Sequence, residues 1–291
     1  MKNILFVLLL SIGVSFVSCS DGDDGGYNPD TAESPYVALP GRKVASLKTT
    51  NTVDGRNYSW EHKFVYDALG RIKEVNSEFV HHAKDVHEKF YLCNISSIAS
   101  YYYNGDELRV DYSVVKIYPE DLMKNSKDSG SDRGVFNKAG VLTKFNTADF
   151  VYSGTMLKEA YYDGGIKYYV SRDASGNVTG FKKCDIDENV LSDYNSRYGY
   201  SRLPNKTNFD FSGYFGYWGV EQGISAIESP YYASYQLAAF GMFGATSAYL
   251  PLSVNNVEDS LSPGTWNLDS KGCPVSYVDP FGRKTVITYV D

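Results

Sequence analysis

The chain holds four histidines, His62, His81, His82 and His87, and they fall close together. Grouped imidazoles are the first place to look for a metal ion or a general base. Phe79 to His87 reads as extended, and successive side chains of an extended chain point to opposite faces, so His81 and His82 cannot share an ion. His62 lies in the alternating stretch Tyr58-Ser-Trp60-Glu-His62-Lys-Phe64-Val-Tyr66, on its aromatic side. It reads there as a core or pocket histidine, and Trp60 and His62 become candidates for lining a ligand pocket. Oxygen ligands are the next possibility. The stretch Pro119 to Gly134 carries Asp128 and Asp132 but lacks the alternating ligands, central glycine and closing glutamate of a calcium loop, so it reads as a solvated hairpin loop.

The most suggestive binding stretch is Asn208-Phe-Asp-Phe-Ser-Gly-Tyr-Phe-Gly-Tyr-Trp-Gly-Val220. Tyr214, Phe215, Tyr217 and Trp218 offer flat faces that suit sugar rings or lipophilic ligands, with glycines between them. The competing reading has these rings covering a buried helix or lining the core. No nucleophile elbow, phosphate loop or dinucleotide fingerprint occurs. The chain therefore reads as a non-enzymatic binding or interaction protein without a cofactor. A structural envelope component with no small ligand is the alternative. A glycan hydrolase, a more distant third, would need two carboxylates about 5–10 Å apart across a cleft.

Composition narrows the classes further. Net charge is −7 over 291 residues with no basic block, which argues against nucleic-acid binding. Lys2 precedes an uncharged, mostly apolar run from Ile4 to Val17 that fits a signal-peptide core and is short for a membrane span. Phe16-Val17-Ser18-Cys19 resembles a lipobox, which implies cleavage after residue 18 and acylation of Cys19. Residues 19–35 hold no large aliphatic side chain and read as a flexible acidic tether, with a mean reach of roughly 20–25 Å. Asp21, Asp23 and Asp24 resemble the acidic export signal of Bacteroides-type surface lipoproteins, implying a lipid-anchored position on the outer face of the outer membrane. Asp30-Thr31-Ala32 and Asp259-Ser260-Leu261 resemble short bacterial O-glycosylation motifs. Beyond Cys19 the cysteines are Cys93, Cys184 and Cys273, expected as small buried residues with room for one bridge.

The elements that must position any site are strands. Five tetrapeptides, Asp67-Ala-Leu-Gly70, Asn137-Lys-Ala-Gly140, Asp173-Ala-Ser-Gly176, Asp269-Ser-Lys-Gly272 and Asp279-Pro-Phe-Gly282, interrupt apolar runs. An Asp or Asn side chain accepts from the backbone N–H two residues on, and glycine supplies the positive φ that closes a hairpin through a bulge. Asp54-Gly55, Asn104-Gly105 and Asp163-Gly164 suit two-residue loops. Between the turns the side chains alternate, as in Leu108, Val110, Tyr112 and Val114 against Arg109, Asp111 and Ser113. The pattern predicts twelve to sixteen strands in an all-β, mainly antiparallel meander over residues 36–291, a single monomeric domain curved or closed like a barrel. One segment departs from it. Ser229-Pro230 frames a helix running toward Gly244, apolar on most faces and expected to pack inside the concave side of the sheet.

The helix ending Gln236-Leu-Ala-Ala-Phe-Gly-Met-Phe-Gly-Ala-Thr-Ser-Ala-Tyr-Leu-Pro-Leu-Ser-Val254, followed by the Asp269 and Asp279 turns, resembles a family of Bacteroides-type lipoproteins with a "domain of unknown function with porin-like fold". The resemblance implies a many-stranded antiparallel barrel-like sheet and carries no functional residues. A membrane-spanning barrel is disfavoured by the charged faces Glu61/Lys63 and Arg109/Asp111.

Overall fold

A computed structural model describes residues 32–84, 90–118, 125–162, 164–193, 198–212, 233–254, 264–279 and 282–291. Twelve strands run in sequence: β1 (Val44–Val53), β2 (Arg56–Tyr66), β3 (Ile72–Lys84), β4 (Phe90–Asn104), β5 (Glu107–Ile117), β6 (Ser126–Phe136), β7 (Leu142–Phe145), β8 (Ala148–Ser153), β9 (Met156–Tyr162), β10 (Ile166–Arg172), β11 (Val178–Cys184) and β12 (Val190–Asp193). Then come β13 (Tyr198–Pro204), the helix α1 (Ala233–Ala239), β14 (Tyr249–Val254), β15 (Thr265–Leu268), β16 (Pro274–Val278) and β17 (Lys284–Tyr289).

Fifteen of these strands form one antiparallel sheet, ordered β12 through β1 and then β17, β16 and β15. The protein is thus all-β and antiparallel, with seventeen strands among the described residues, one more than the upper end of the expected count. The meander holds for β1 to β12. The last three strands attach to the free side of β1, where Leu47 faces Ile287. Of the stretch Pro119–Gly134, read as a loop, residues 119–124 lie outside the described residues and Ser126 to Gly134 are strand, because Lys116 to Glu107 pair continuously with Ser126 to Val135.

All five Asp/Asn-x-x-Gly tetrapeptides make the expected turn. At the first, Gly70 N–H donates to the Asp67 carbonyl at 3.0 Å, and Asp67 Oδ1 accepts from Leu69 and Arg71 N–H at 3.0 and 2.8 Å. The glycines sit at φ from 75° to 84°. A sixth copy lacks the glycine: Asp185 Oδ1 accepts from Asp187 and Asn189 N–H, and Glu188 takes the left-handed position at φ 63°. Two of the short loops differ from expectation. Asn104 still pairs with Glu107, so that loop is Gly105-Asp106; Tyr162 pairs with Ile166, which leaves three residues around Gly164.

The inward side chains form one core, and the chain itself fills the space inside. Phe240, at the end of α1, packs against Phe64 and Phe209 with ring centroids 5.4 Å away in each case. Phe243 lies 4.8 Å from Phe150, and Phe211 lies 5.1 Å from Trp266. Backbone bonds tie this plug to the sheet: Leu142 N–H to the Met242 carbonyl at 2.8 Å, and Ala245 N–H to the Thr155 carbonyl at 2.8 Å. The helix is buried as expected but ends at Ala239, because Gly241 turns left-handed at φ 73°. Its proposed cap, Ser229-Pro230, lies outside the described residues. Gly244, at φ 89°, passes so close to the Thr155 carbonyl that a Cβ would collide with it.

The two edges, β12 and β15, do not pair with each other. The separate β13–β14 ribbon links β11, next to one edge, with β15 at the other. Tyr200 of β13 donates to the Val178 carbonyl at 2.9 Å, while Gly264 N–H and Trp266 Nε1 donate to the Leu252 and Pro251 carbonyls of β14 at 2.8 and 2.6 Å. The roll is closed by stitching rather than by a continuous ladder.

The packed chain also begins before residue 36. Arg71 Nη1 donates to the Ala32 carbonyl at 2.9 Å, Gly105 N–H donates to the Glu33 carbonyl at 2.9 Å, and buried Tyr36 packs in a cluster with Tyr103 and Phe136. Residues 32–35, read from composition as tether, form a strap across one end of the roll.

Candidate functional site

The aromatic candidates Tyr214, Phe215, Tyr217 and Trp218 lie outside the described residues. Trp60 is half-buried on the inner face of β2, opposite Phe79. His62 is buried; its Nδ1 is 2.7 Å from Ser77 Oγ, and its ring lies against Phe64 and Phe79. It is a core histidine. Burial alone holds its pKa down to about 4.

That shift has a pH consequence. Above the ordinary histidine pKa of about 6.5 both folded and unfolded forms are neutral and no penalty arises. As pH falls from 6.5 toward 4, the unfolded chain takes up a proton that the folded chain refuses, so stability falls. Chemical denaturation should show that the stability of the protein relative to its His62→Gln variant shrinks by about 3 kcal/mol between pH 7 and pH 4. A difference that stays flat across that window would mean the imidazole titrates freely in the folded state.

The remaining histidines do not assemble. His81 and His82 sit side by side on β3, His82 edge-on to Tyr58, and His87 lies outside the described residues. Among the described residues no group of three or more His, Cys, Asp or Glu could hold a metal ion. Asp132 is buried on β6 and accepts from Asn146 Nδ2 at 2.8 Å, while Asp128 is exposed. Cys93, Cys184 and Cys273 are buried and unbridged.

Inside the roll many of the polar groups bond one another, although Arg172 Nε, buried near Asp210 and Tyr200, has no hydrogen-bond partner. Asp210 Oδ1 accepts from Ser212 Oγ at 2.5 Å; Ser212 and Ser247 hydroxyls lie 2.9 Å apart; and Ser247 Oγ donates to Tyr200 at 3.0 Å. Tyr101 donates to Gln236 Oε1 at 2.5 Å and Tyr36 to the Phe240 carbonyl at 2.7 Å. These bonds hold the plug in one position; Ser212 is paired with a carboxylate rather than with an imidazole.

The open concavity is on the other side of the sheet. A groove of about 760 Å³ crosses β2 to β6; eleven of its fourteen lining residues alternate with the core positions, and the other three are Ser77, Ser97 and Tyr112 of the core-side register. β2 gives Glu61 and Lys63, β3 gives Asn76 and Glu78, and β4 gives Ser96, Ile98 and Ser100. β5 adds Asp111, Ser113 and Val115, and β6 adds Lys127. The register explains the meeting: Glu61, Glu78, Ser96, Val115 and Lys127 are successive partners in one row across five strands. Glu61 is held by Lys48 at 3.1 Å and by Lys63 at 3.9 Å. Sequence reading did not find this site, because each of its residues is an ordinary surface side chain until the pairing is known.

No family model matches the chain, and no curated protein does. Among solved structures, it is similar to a porin-like protein from Bacteroides uniformis, with 12% identity, a TM-score of 0.41, and coverage of 86% of this chain and 99% of that one. Agreement that loose leaves the architecture resting on the strand ladder itself.

Proposed function

We propose that the chain is an envelope lipoprotein, anchored through an acylated Cys19 and displayed at the outer membrane surface, whose plugged β domain is a non-enzymatic binding or interaction module. The observation that carries this reading is the interior, which among the described residues is filled: α1 and its flanks occupy the concave side, which directs recognition to the outer surface. The outward face supports an aqueous setting. Lys48–Glu61, Arg109–Asp111 and Lys144–Asp149 are ion pairs on it, where a membrane-spanning barrel would need an apolar band. Hydrolysis is the weaker reading. Glu61 and Glu78 are direct cross-strand neighbours on one floor, and Glu61 is already paired, whereas glycoside cleavage wants carboxylates facing each other across the substrate.

The anchor is tested in cells of the native host. The mature chain should fractionate with membranes, carry a lipid mass on its N-terminal peptide and be shaved by external protease. Cys19→Ala should move it to the soluble fraction. A wild-type chain whose N-terminal peptide carries no lipid would rule the anchor out.

A further inference from the structure

From the groove across β2–β6 we infer that the outer face binds a neutral, polyhydroxylated ligand, an oligosaccharide chain; this rests on the binding reading above.

The groove's size is in the range of small-ligand sites. Its ionisable lining is Glu61, Glu78 and Asp111 against Lys63 and Lys127, three negative and two positive, so it selects neither a strong anion nor a strong cation. What it offers is a dense mixture of acceptors and donors: carboxylates that only accept, ammonium groups that only donate, and the Ser96 and Ser113 hydroxyls that do both. A sugar hydroxyl also does both, and a chain of them matches this mixture, in which Glu61 is already paired with Lys48 and Asp111 with Arg109. Ile98, 43% exposed on the groove floor, gives the C–H face of a ring its apolar contact. An extended peptide is a poor occupant. β2 to β6 are paired on both sides, so no backbone edge is free there to add a strand.

Residues 32–36 lie across the end that carries the Asp67, Gly105 and Asn137 turns. Ser100 lies four and Ser96 eight ladder steps along β4 from Asn104, so the groove sits midway along the strands, roughly 13–25 Å from that end.

The test uses the mature chain on an array of neutral, uronic-acid or sulfated, and amino oligosaccharides, with hits measured by calorimetry. Neutral oligosaccharides should bind. Ser113→Trp, which fills the floor, and the milder pair Glu78→Gln with Asp111→Asn should each weaken binding by about tenfold or more, while leaving the melting curve in place. If Ser113→Trp fails to fold, the isosteric pair decides. Neutral hits unchanged by the pair would overturn the groove while leaving the binding reading intact. Hits confined to acidic or amino sugars would overturn the ligand class, and an array without hits would overturn both.

Discussion

Truncating Phe240 to alanine is expected to lower the unfolding free energy by about 3–5 kcal/mol. The ring is 2% exposed and meets Phe64 and Tyr66 of β2 and Phe209 of the plug, and Phe64 and Phe209 touch each other as well. Its backbone carbonyl receives the Tyr36 hydroxyl. Removing the ring leaves a cavity at the point where plug, sheet and strap meet, and rigid strands cannot collapse into it. Chemical denaturation measures the loss directly. Phe240→Leu, which keeps most of the volume, should cost markedly less. Equal effects of the two substitutions would show that no packed cavity forms there.

The second large effect is expected at Arg71. Its Nε lies 2.6 Å from Asp67 Oδ2, and both side chains are only 2% exposed. The guanidinium covers the Tyr103 ring at 4.3 Å and reaches the strap through Ala32. Asp67 Oδ1 meanwhile caps its turn by accepting two backbone N–H groups. Arg71→Ala strands a buried carboxylate without its cation and releases the strap, for an expected loss of about 3–5 kcal/mol. The pair is not optimal, since Arg71 Nη2 has no hydrogen-bond partner. Replacing both members, Asp67→Asn with Arg71→Met, should therefore recover most of the stability lost in the single variant. Denaturation curves on the three proteins decide it; a double variant no more stable than Arg71→Ala would contradict the buried-charge explanation. Limited proteolysis should also show faster cleavage ahead of Tyr36 in Arg71→Ala.

The hairpins were legible because their chemistry is local. Asp or Asn, two residues and glycine specify a turn within five positions, and all five copies form it. The sixth was missed because Glu188 stands where glycine was expected. A different signal marks it: Asn189 Nδ2 bonds Asp185 Oδ2, as Asn177 Nδ2 bonds Asp173 Oδ2, so an asparagine four residues after the aspartate is a second signature of the turn. The helix was legible as an apolar, charge-free run, but its end was misplaced because Gly241 lies inside that run. The strap was hidden by its own mechanism: Ala32 and Glu33 dock through backbone carbonyls, about which composition is silent. The pairing of β17 with β1 joins the two ends of the chain, and no local pattern announces it. The groove was illegible for a related reason, since its row of partners comes from five strands and exists only once the register is set.

The account depends on a sheet that encloses its own chain. Backbone hydrogen exchange tests this most directly, at Leu142, Ala245 and Gly264, whose N–H groups donate across the plug and stitch contacts. These amides should exchange nearly as slowly as Val110 in the middle of the ladder, because opening them requires pulling the plug from the sheet. Exchange at the rate of free loops, with Val110 still protected, would mean that the inside of the roll is open.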